Sequence, residues 1–299
     1  MRLNPTEKDP IRVADCAELN TLYSRTRQLS LETVRSEIDI EGTLYEEPVE
    51  VDVPEVLPAE LSEGLVASAA AEIKRRIQIA GGAYPFELSA GVLKAFTDTS
   101  YMPYIFGLLA ADSELYSPGD QQSAKLFEHL VGEALKVYLS GEAVRFGSRR
   151  DTMPQGIVNA VERLAQLTGN RKLSNGYHVN ATDQDLGLDA VAWKDFPDKH
   201  WGKVELYVQC ATGQNWESKR RDFSTGVWSR ILNWPFDPVV GLAIPYVVGE
   251  YDWEKASSDV LLMDRIRIAC VLKGQDLSAG ICSWWDWCLD RIQEGSQRY

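Results

Sequence analysis

Two apolar runs of this chain, AVAW and VELYVQCA, each carry a polar residue that could do chemistry. Asp189 directly precedes the first run, and Gln209 lies inside the second. A carboxylate at the start of a buried strand needs hydrogen bonds, a cation or a metal, because burial of an unpaired charge is costly. Asp183 and Asp185 lie just upstream, and clustered carboxylate oxygens suit Mg²⁺. The segment therefore predicts either a Mg²⁺ site or an acid-rich turn that only starts a strand.

A Pro- and charge-rich turn separates the two runs, so they are predicted to form a β-hairpin. In the second strand Glu205, Tyr207 and Gln209 share one face, because successive side chains alternate. That polar face and Asp189 would line a common cleft. Gly187, two residues before Asp189, leaves room for the backbone or a ligand to approach closely.

The elements around the hairpin predict an α/β domain. The segment LFEHLVGEAL lies in an amphipathic helix, and Glu128 lies at the edge of its apolar stripe. Glu133 on the same helix points further toward solvent, and Glu162 lies on the following helix. The order helix, helix, strand, strand, helix, strand, helix predicts a mixed central sheet.

The segments GLDAVAW and VELYVQC resemble the core of the PD-(D/E)XK nuclease superfamily, especially its Mrr-like restriction endonuclease branch. In that branch an Asp opens one strand, and a Gln- or Glu-x-Lys lies on the next. The resemblance matches Asp189 to the metal-binding Asp and Gln209 to the first position of Gln-x-Lys. It covers the chain from Phe127 to the helix that begins near Asn215. It implies a restriction-endonuclease-like fold, with a mixed central sheet flanked by helices.

The chain departs from this pattern at Ala211, which stands where the family has its lysine. Downstream, TGQNWESK is predicted to begin a helix with Asn215 as its N-cap, and Lys219 lies about one turn inside it. In this superfamily the lysine can move to the adjacent helix. We therefore expect Lys219 to replace the missing lysine; the alternative is that Lys219 begins a solvated basic patch.

The resemblance implies metal-assisted hydrolysis of phosphodiester bonds with Mg²⁺ or Mn²⁺ as cofactor. The family also has an acid on the helix that precedes its sheet, so Asp189, Glu128 and the backbone carbonyl of Cys210 would hold the metal. Glu133 is the reserve for Glu128, and Glu162 is a further alternative. Lys219 would orient the attacking water or neutralise the developing phosphorane charge.

Gln209 would stand where a carboxylate often binds metal in this family, and Glu205 could supplement it from the same face of the strand. Four arginines are reasonable phosphate contacts that position the nucleic-acid backbone without reading its sequence. These candidate contacts are Arg149, Arg150, Arg220 and Arg221.

Composition limits the classes of function. A net charge of -13 argues against a protein that coats nucleic acid by bulk electrostatics, but a local basic run such as KRR at 74–76 can still act. The five cysteines are scattered and form no CxxC, so a structural zinc site is not expected. The chain shows no secretory signal and no membrane-length apolar run, so we expect it to be cytoplasmic, without membrane contact.

The linker-like segment ELYSPGDQQ predicts a domain boundary. We expect a mostly helical N-terminal domain with an acidic, irregular start over 1–116, and the nuclease domain over 117–299. The resemblance favours a DNA endonuclease that acts as an effector of bacterial anti-phage defence, possible partners being an ATPase or regulatory subunit and a second copy of the chain. Two alternatives stay open: an RNA substrate, and a catalytically inactive nuclease fold that binds nucleic acid or a protein partner.

Overall fold

The computed structural model of the protein describes residues 9–36, 59–112, 121–148, 150–174, 177, 179–180 and 183–298. The chain is a mixed α/β protein that divides into two compact units. The first unit contains Met1–Pro118 and Asp276–Tyr299, and the second contains Gly119–Gln275. Within the described ranges, no helix is long and apolar enough to cross a membrane.

The first unit combines helices with a small antiparallel sheet in which β3 lies between β1 and β2. The elements in its N-terminal part are α1 (Pro10–Tyr23), β1 (Gln28–Ser30), α2 (Ala59–Ala80), a 3-10 turn (Gly81–Ala83), β2 (Phe86–Ser89), β3 (Val92–Ala95), a second 3-10 turn (Thr99–Tyr101) and α3 (Met102–Ala110). The β2–β3 hairpin turns at Ala90 and Gly91, whose φ angles of 48° and 74° suit a tight hairpin turn.

A buried ion network connects α1 and α2. Arg76 Nη1 lies 2.5 Å from Asp15 Oδ1 and 2.8 Å from Glu18 Oε1, and Arg76 Nε lies 2.8 Å from Glu72 Oε1. Tyr84 donates a hydrogen bond to Glu18 Oε1 at 2.6 Å. Because Arg76 is fully buried, the basic run at 74–76 is in part a core feature and not wholly a basic surface.

The second unit is built on a five-stranded mixed sheet in the order β10-β9-β7-β6-β4, with a separate pair β5-β8. Its helices and strands are α4 (Gln121–Leu139), β4 (Glu142–Arg145), α5 (Ile157–Thr168), β5 (Arg171–Lys172), β6 (Ala190–Trp193), β7 (Glu205–Cys210), α6 (Trp216–Lys219), α7 (Thr225–Trp228), β8 (Leu232–Asn233), β9 (Val239–Ala243), α8 (Glu250–Ser257), β10 (Leu261–Met263) and α9 (Arg265–Leu272). Strands β4, β6 and β7 pair antiparallel, whereas β7, β9 and β10 pair parallel. The predicted hairpin and the predicted mixed sheet are both confirmed.

Burial on both faces explains the apolar runs of this sheet. All four residues of β6 are buried, so AVAW is continuous instead of alternating. On one face Tyr207 belongs to a core cluster with Phe146 and Trp228, which also includes the apolar side of α5. This core holds the strand ends next to Asp189 in fixed positions.

The C-terminal helix α10 (Ser278–Arg298) belongs to the first unit, where it contacts α1 and α3. The rings of Trp287 and Phe106 lie 4.7 Å apart, and Ser296 Oγ donates to Tyr23 O at 2.8 Å. The predicted second domain, 117–299, was therefore wrong at its C-terminal end, because the apolar face of α10 packs on helices distant in sequence. Residues 117–120, at the predicted boundary, lie outside the described residues.

Candidate active site

Asp189 lies immediately before β6, at the point where three segments of the sheet meet. Its N–H donates to Val208 O at 3.0 Å, and its carbonyl accepts from Phe146 N at 2.7 Å and Gly147 N at 3.0 Å. The β6–β7 register pairs Ala190 with Val208, which places Asp189 opposite Gln209. Backbone bonds thus fix the carboxylate at one end of the sheet.

Glu128 on α4 reaches the same point. A Cβ placed on Gly147 would lie 2.4 Å from Glu128 Oε2 and 3.0 Å from Asp189 Oδ1. The two carboxylate oxygens are therefore no farther apart than the sum of these distances. Only a residue without a side chain leaves this space open, so Gly147 allows the helix acid and the strand acid to converge.

Both carboxyl groups resist ionisation in this position. Burial raises the pKa of Glu128 to about 8, and the negative charge of Asp189 adds to that increase. Burial likewise raises the pKa of Asp189 to about 7, although the N–H of Cys210 donates to its Oδ2 at 2.8 Å and opposes the shift. The charge of Asp185 raises both pKa values further.

A divalent cation fits this pair of acids. Arg145 already pairs with Glu128 Oε2 at 2.6 Å, but the charge of Asp189 still raises the pKa of Glu128, and a cation between the two carboxylates would relieve that repulsion. Among the described residues, no group of three His, Cys, Asp or Glu side chains converges on a single point. Water, a backbone carbonyl or phosphate oxygens would complete the ligand set, which suits Mg²⁺ because it keeps several waters.

Arg145, at the end of β4, is a site residue that the sequence analysis did not single out. Its Nε lies 2.6 Å from Glu128 Oε2, and its Nη2 donates to Ser148 O at 2.6 Å. The guanidinium is buried, and its charge lowers the pKa of both Glu128 and Asp189. Its position as the last residue of a strand, two residues before Gly147, was the available signal for a buried cation.

Asp151 is a second carboxylate near the Arg145 guanidinium, and its Oδ1 lies 3.7 Å from Arg145 Nη1. It also lies 2.8 Å from His129 Nε2 and 3.1 Å from Lys125 Nζ. Burial opposes ionisation of Asp151, but the hydrogen bonds from His129 and Lys125 outweigh it and lower its pKa to about 2. A chain of alternating charges therefore extends from the surface of α4 to Glu128.

Gln209 and Lys219 both contact Asp222, which the sequence analysis also missed. Lys219 Nζ donates to Asp222 Oδ2 at 3.0 Å, and Gln209 Nε2 donates to the same oxygen at 3.4 Å. The charge of Lys219 lowers the pKa of Asp189, so the lysine is within electrostatic reach of the candidate site. Asn215 precedes α6 as predicted, but its side chain forms no capping hydrogen bond.

Gly187 has a φ of 74° and accommodates a close approach of the backbone, one of the two options predicted for it. A Cβ there would lie 2.6 Å from Asp222 O. Asp185 Oδ1 accepts from Gly187 N at 3.0 Å, whereas Asp183 Oδ2 accepts from Asn180 N at 2.9 Å. Two carboxylates of the acid-rich turn are therefore held by hydrogen bonds from backbone N–H groups.

The predicted phosphate contacts occupy different environments. Arg150 is buried, donates to Gln184 O at 2.7 Å and lies over the Phe146 ring at 4.7 Å. Arg220 pairs with Asp259, and Arg221 is exposed. Arg149 lies outside the described residues. Their role as phosphate contacts stays a prediction.

Glu205 does not lie beside Gln209, where the sequence analysis expected it to supplement the site. It lies at the opposite end of β7 from Gln209, and Asn170 Nδ2 donates to its Oε1 and Oε2 at 2.9 and 2.8 Å. Tyr207 OH donates to Glu205 Oε2 at 3.1 Å. The idea that Glu205 supplements Gln209 was wrong, because alternation gives the face of a side chain and not its distance along the strand.

The remaining predicted ligands are located as follows. The N–H of Cys210 bonds to Asp189, and the pKa of its thiol is raised by burial and by the charges of Asp189 and Glu128. Glu133 lies further along α4 than Glu128, and Glu162 is exposed on α5. Scans of the chain against protein-family models, curated proteins and solved structures found no match.

Proposed function

We propose that this protein is a metal-dependent nuclease that hydrolyses phosphodiester bonds, with DNA as its substrate and a restriction-endonuclease-like second unit. The observation that carries the proposal is the convergence of Glu128 and Asp189 across Gly147. Both acids have raised pKa values, a frequent property of groups built for chemistry instead of stability.

The arrangement of elements supports the same proposal. The resemblance implies an acid on the helix before the sheet, an Asp that opens one strand and a Gln on the next strand. Here α4 precedes a mixed sheet, Asp189 precedes β6, and Gln209 lies opposite it on β7. Three residues that are far apart in sequence thus meet at one end of the sheet.

Glu128 and Asp189 would hold the Mg²⁺ or Mn²⁺, together with the Cys210 carbonyl. When bound, the ion lowers the pKa of a coordinated water and neutralises charge on the scissile phosphate. Lys219 would face the phosphate and stabilise the charge that develops on it. Gln209 would orient Lys219 through their shared contact with Asp222.

We extend the proposal to a biological role as a cytoplasmic endonuclease effector of bacterial anti-phage defence. The resemblance suggests this role, and the net charge of -13 suits a protein that needs a partner to bring it to DNA. An ATPase or regulatory subunit, or a second copy of the chain, would serve that purpose.

A second function has a specific observation in its favour. Arg145 Nε, 2.6 Å from Glu128 Oε2, already supplies a cation to one of the two acids. Together with Ala211 in place of the family's lysine, this favours a nuclease fold that has lost catalysis and binds nucleic acid or a protein partner.

Cleavage of supercoiled plasmid with Mg²⁺ or Mn²⁺ tests the proposal. We expect the wild type to cut, and Asp189→Ala and Lys219→Ala to be inactive. Lys255→Ala is the matched control, because Lys255 is an exposed lysine with an ion pair to Glu217 at 3.7 Å.

If Lys219→Ala still cuts plasmid, the proposed nuclease function stands and the assignment of Lys219 as the replacement lysine is rejected. Absence of cutting by the wild type, on DNA and on RNA, combined with retained nucleic-acid binding would favour the inactive fold. RNA cleavage alone would change the substrate class and leave the site assignment intact.

A further inference from the structure

One carboxylate oxygen joins two residues that the candidate site needs. Asp222 Oδ2 accepts from Lys219 Nζ at 3.0 Å and from Gln209 Nε2 at 3.4 Å. Gln209 is buried on β7, whereas Lys219 is the last residue of the four-residue helix α6, and about half of its side chain is exposed. Asp222 therefore links a flexible surface cation to a fixed position on the strand.

The backbone of Asp222 is itself held in place. Its carbonyl packs against Gly187, where a Cβ would come within 2.6 Å of it. The next residue, Phe223, is buried, with its ring 5.8 Å from that of Tyr207 and 6.2 Å from that of Trp228. The carboxylate thus projects from an anchored segment beside the turn that leads into Asp189.

We propose that Asp222 is a positioning residue of the candidate active site. It holds the ammonium group of Lys219 beside Gln209, so that a lysine from α6 serves the strand position where Ala211 stands. This inference rests on the proposed nuclease function. A lysine on β7 would start from a backbone that the sheet fixes, whereas Lys219 starts from the end of a four-residue helix, so its flexible stem needs an external partner to keep one orientation.

The neighbouring ion pair supplies a matched control. Arg220 follows Lys219 directly and pairs with Asp259, whose side chain is more exposed than that of Asp222. Asp259→Asn removes the same charge from an adjacent contact that does not involve Gln209. Asp222→Glu keeps the charge on a longer side chain and is the rescue variant.

The first experiment requires no cleavage. Purified wild type, Asp222→Asn, Asp222→Glu and Asp259→Asn are treated with a trace of acetic anhydride, and mass spectrometry gives the acylation rate of Lys219. We expect acylation to rise about threefold in Asp222→Asn, because an amino group held against Asp222 must leave that contact before it can attack the reagent. It should stay near the wild-type rate in Asp222→Glu and Asp259→Asn. Equal rates in Asp222→Asn and the wild type would overturn the proposal.

The second experiment separates positioning from a merely structural role. Asp222→Asn should lower kcat for plasmid cleavage roughly ten- to hundredfold with little change in KM, since a displaced catalytic group affects the chemical step. Asp222→Glu, which keeps the charge, should restore most of the lost kcat. An Asp222→Glu variant that cuts as slowly as Asp222→Asn would overturn the proposal. A wild type that fails to cut would count against the nuclease function alone, because the acylation rates still decide whether Asp222 holds Lys219.

Discussion

Glu128 Oε2 and Asp189 Oδ1 converge on the open side of Gly147, where a Cβ would lie 2.4 Å from the first oxygen and 3.0 Å from the second. One acid comes from helix α4 and the other from the residue before β6. Burial raises both pKa values, the charge of Asp189 adds to the increase at Glu128, and buried Arg145 offsets only part of these effects. Such a pair destabilises the metal-free protein and becomes favourable when a cation binds between the two carboxylates.

Gly147→Ala should lower activity more than stability. The new methyl group would displace the end of the Glu128 side chain and disturb its ion pair with Arg145, so the free energy of unfolding should fall by about 2 kcal/mol. Metal affinity and plasmid cleavage should fall roughly hundredfold, because the two acids no longer converge. Calorimetric titration with Mn²⁺ and the cleavage assay measure these effects.

Gly132→Ala is the control for this prediction. Gly132 lies on the same helix, and a Cβ there meets no atom within 4 Å. It should raise the helix stability by up to about 1 kcal/mol and leave cleavage unchanged. Normal Mn²⁺ affinity in Gly147→Ala would contradict the assignment of Glu128 and Asp189 as a metal pair.

The free energy of unfolding should fall as the pH rises toward alkaline values. The folded-state pKa values of Asp189, about 7, and Glu128, about 8, lie above their ordinary values, so folding favours the protonated forms. The stability that these groups supply is complete at acidic pH, below their ordinary pKa values, and is lost as the pH rises through about 8. Urea denaturation at a series of pH values measures the slope.

Asp189→Asn isolates this effect from other titrating groups, because it keeps an oxygen to accept from Cys210 and removes the charge. The variant should show a smaller loss of stability with rising pH than the wild type. Mn²⁺ should stabilise the wild type more at alkaline than at acidic pH and should have little effect on the variant. Identical pH slopes in the two proteins would refute the prediction.

Arg145→Met should destabilise the second unit by about 2 kcal/mol. Breaking a buried ion pair is costly, although Glu128 can take up a proton once its cation is removed, which limits the loss. The double variant Arg145→Met with Glu128→Leu should recover most of the loss, since neither charge is then left alone. Chemical denaturation of the single and double variants tests this, and a double variant less stable than Arg145→Met would disprove it.

Gly187→Ala should cost more than about 2 kcal/mol, because it combines a left-handed backbone with a clash against the rigid carbonyl of Asp222. Gly274→Ala is the matched control: its φ is 70°, and a Cβ there meets nothing within 4 Å. That variant should lose only about 1 kcal/mol, the conformational cost alone. Equal losses in the two variants, measured by urea denaturation, would show that the approach of Asp222 is unimportant.

The sequence determined the local elements because their signals are local. Continuous apolar residues around a Pro- and charge-rich turn predicted the β6–β7 hairpin, and apolar spacing predicted helix α4. The position of Asp189 directly before a buried strand followed from the same pattern. The family resemblance then indicated that an acid on the preceding helix belongs beside it.

Only the tertiary structure decided which partners these residues meet. Arg145 and Asp222 contribute to the site through contacts with Glu128, Lys219 and Gln209 that no spacing rule encodes. The same reason explains why α10 joins the first unit and why Glu205 bonds to Asn170 at the other end of its strand. Periodicity fixes the face on which a side chain lies, whereas its distance to a partner depends on how separate elements pack.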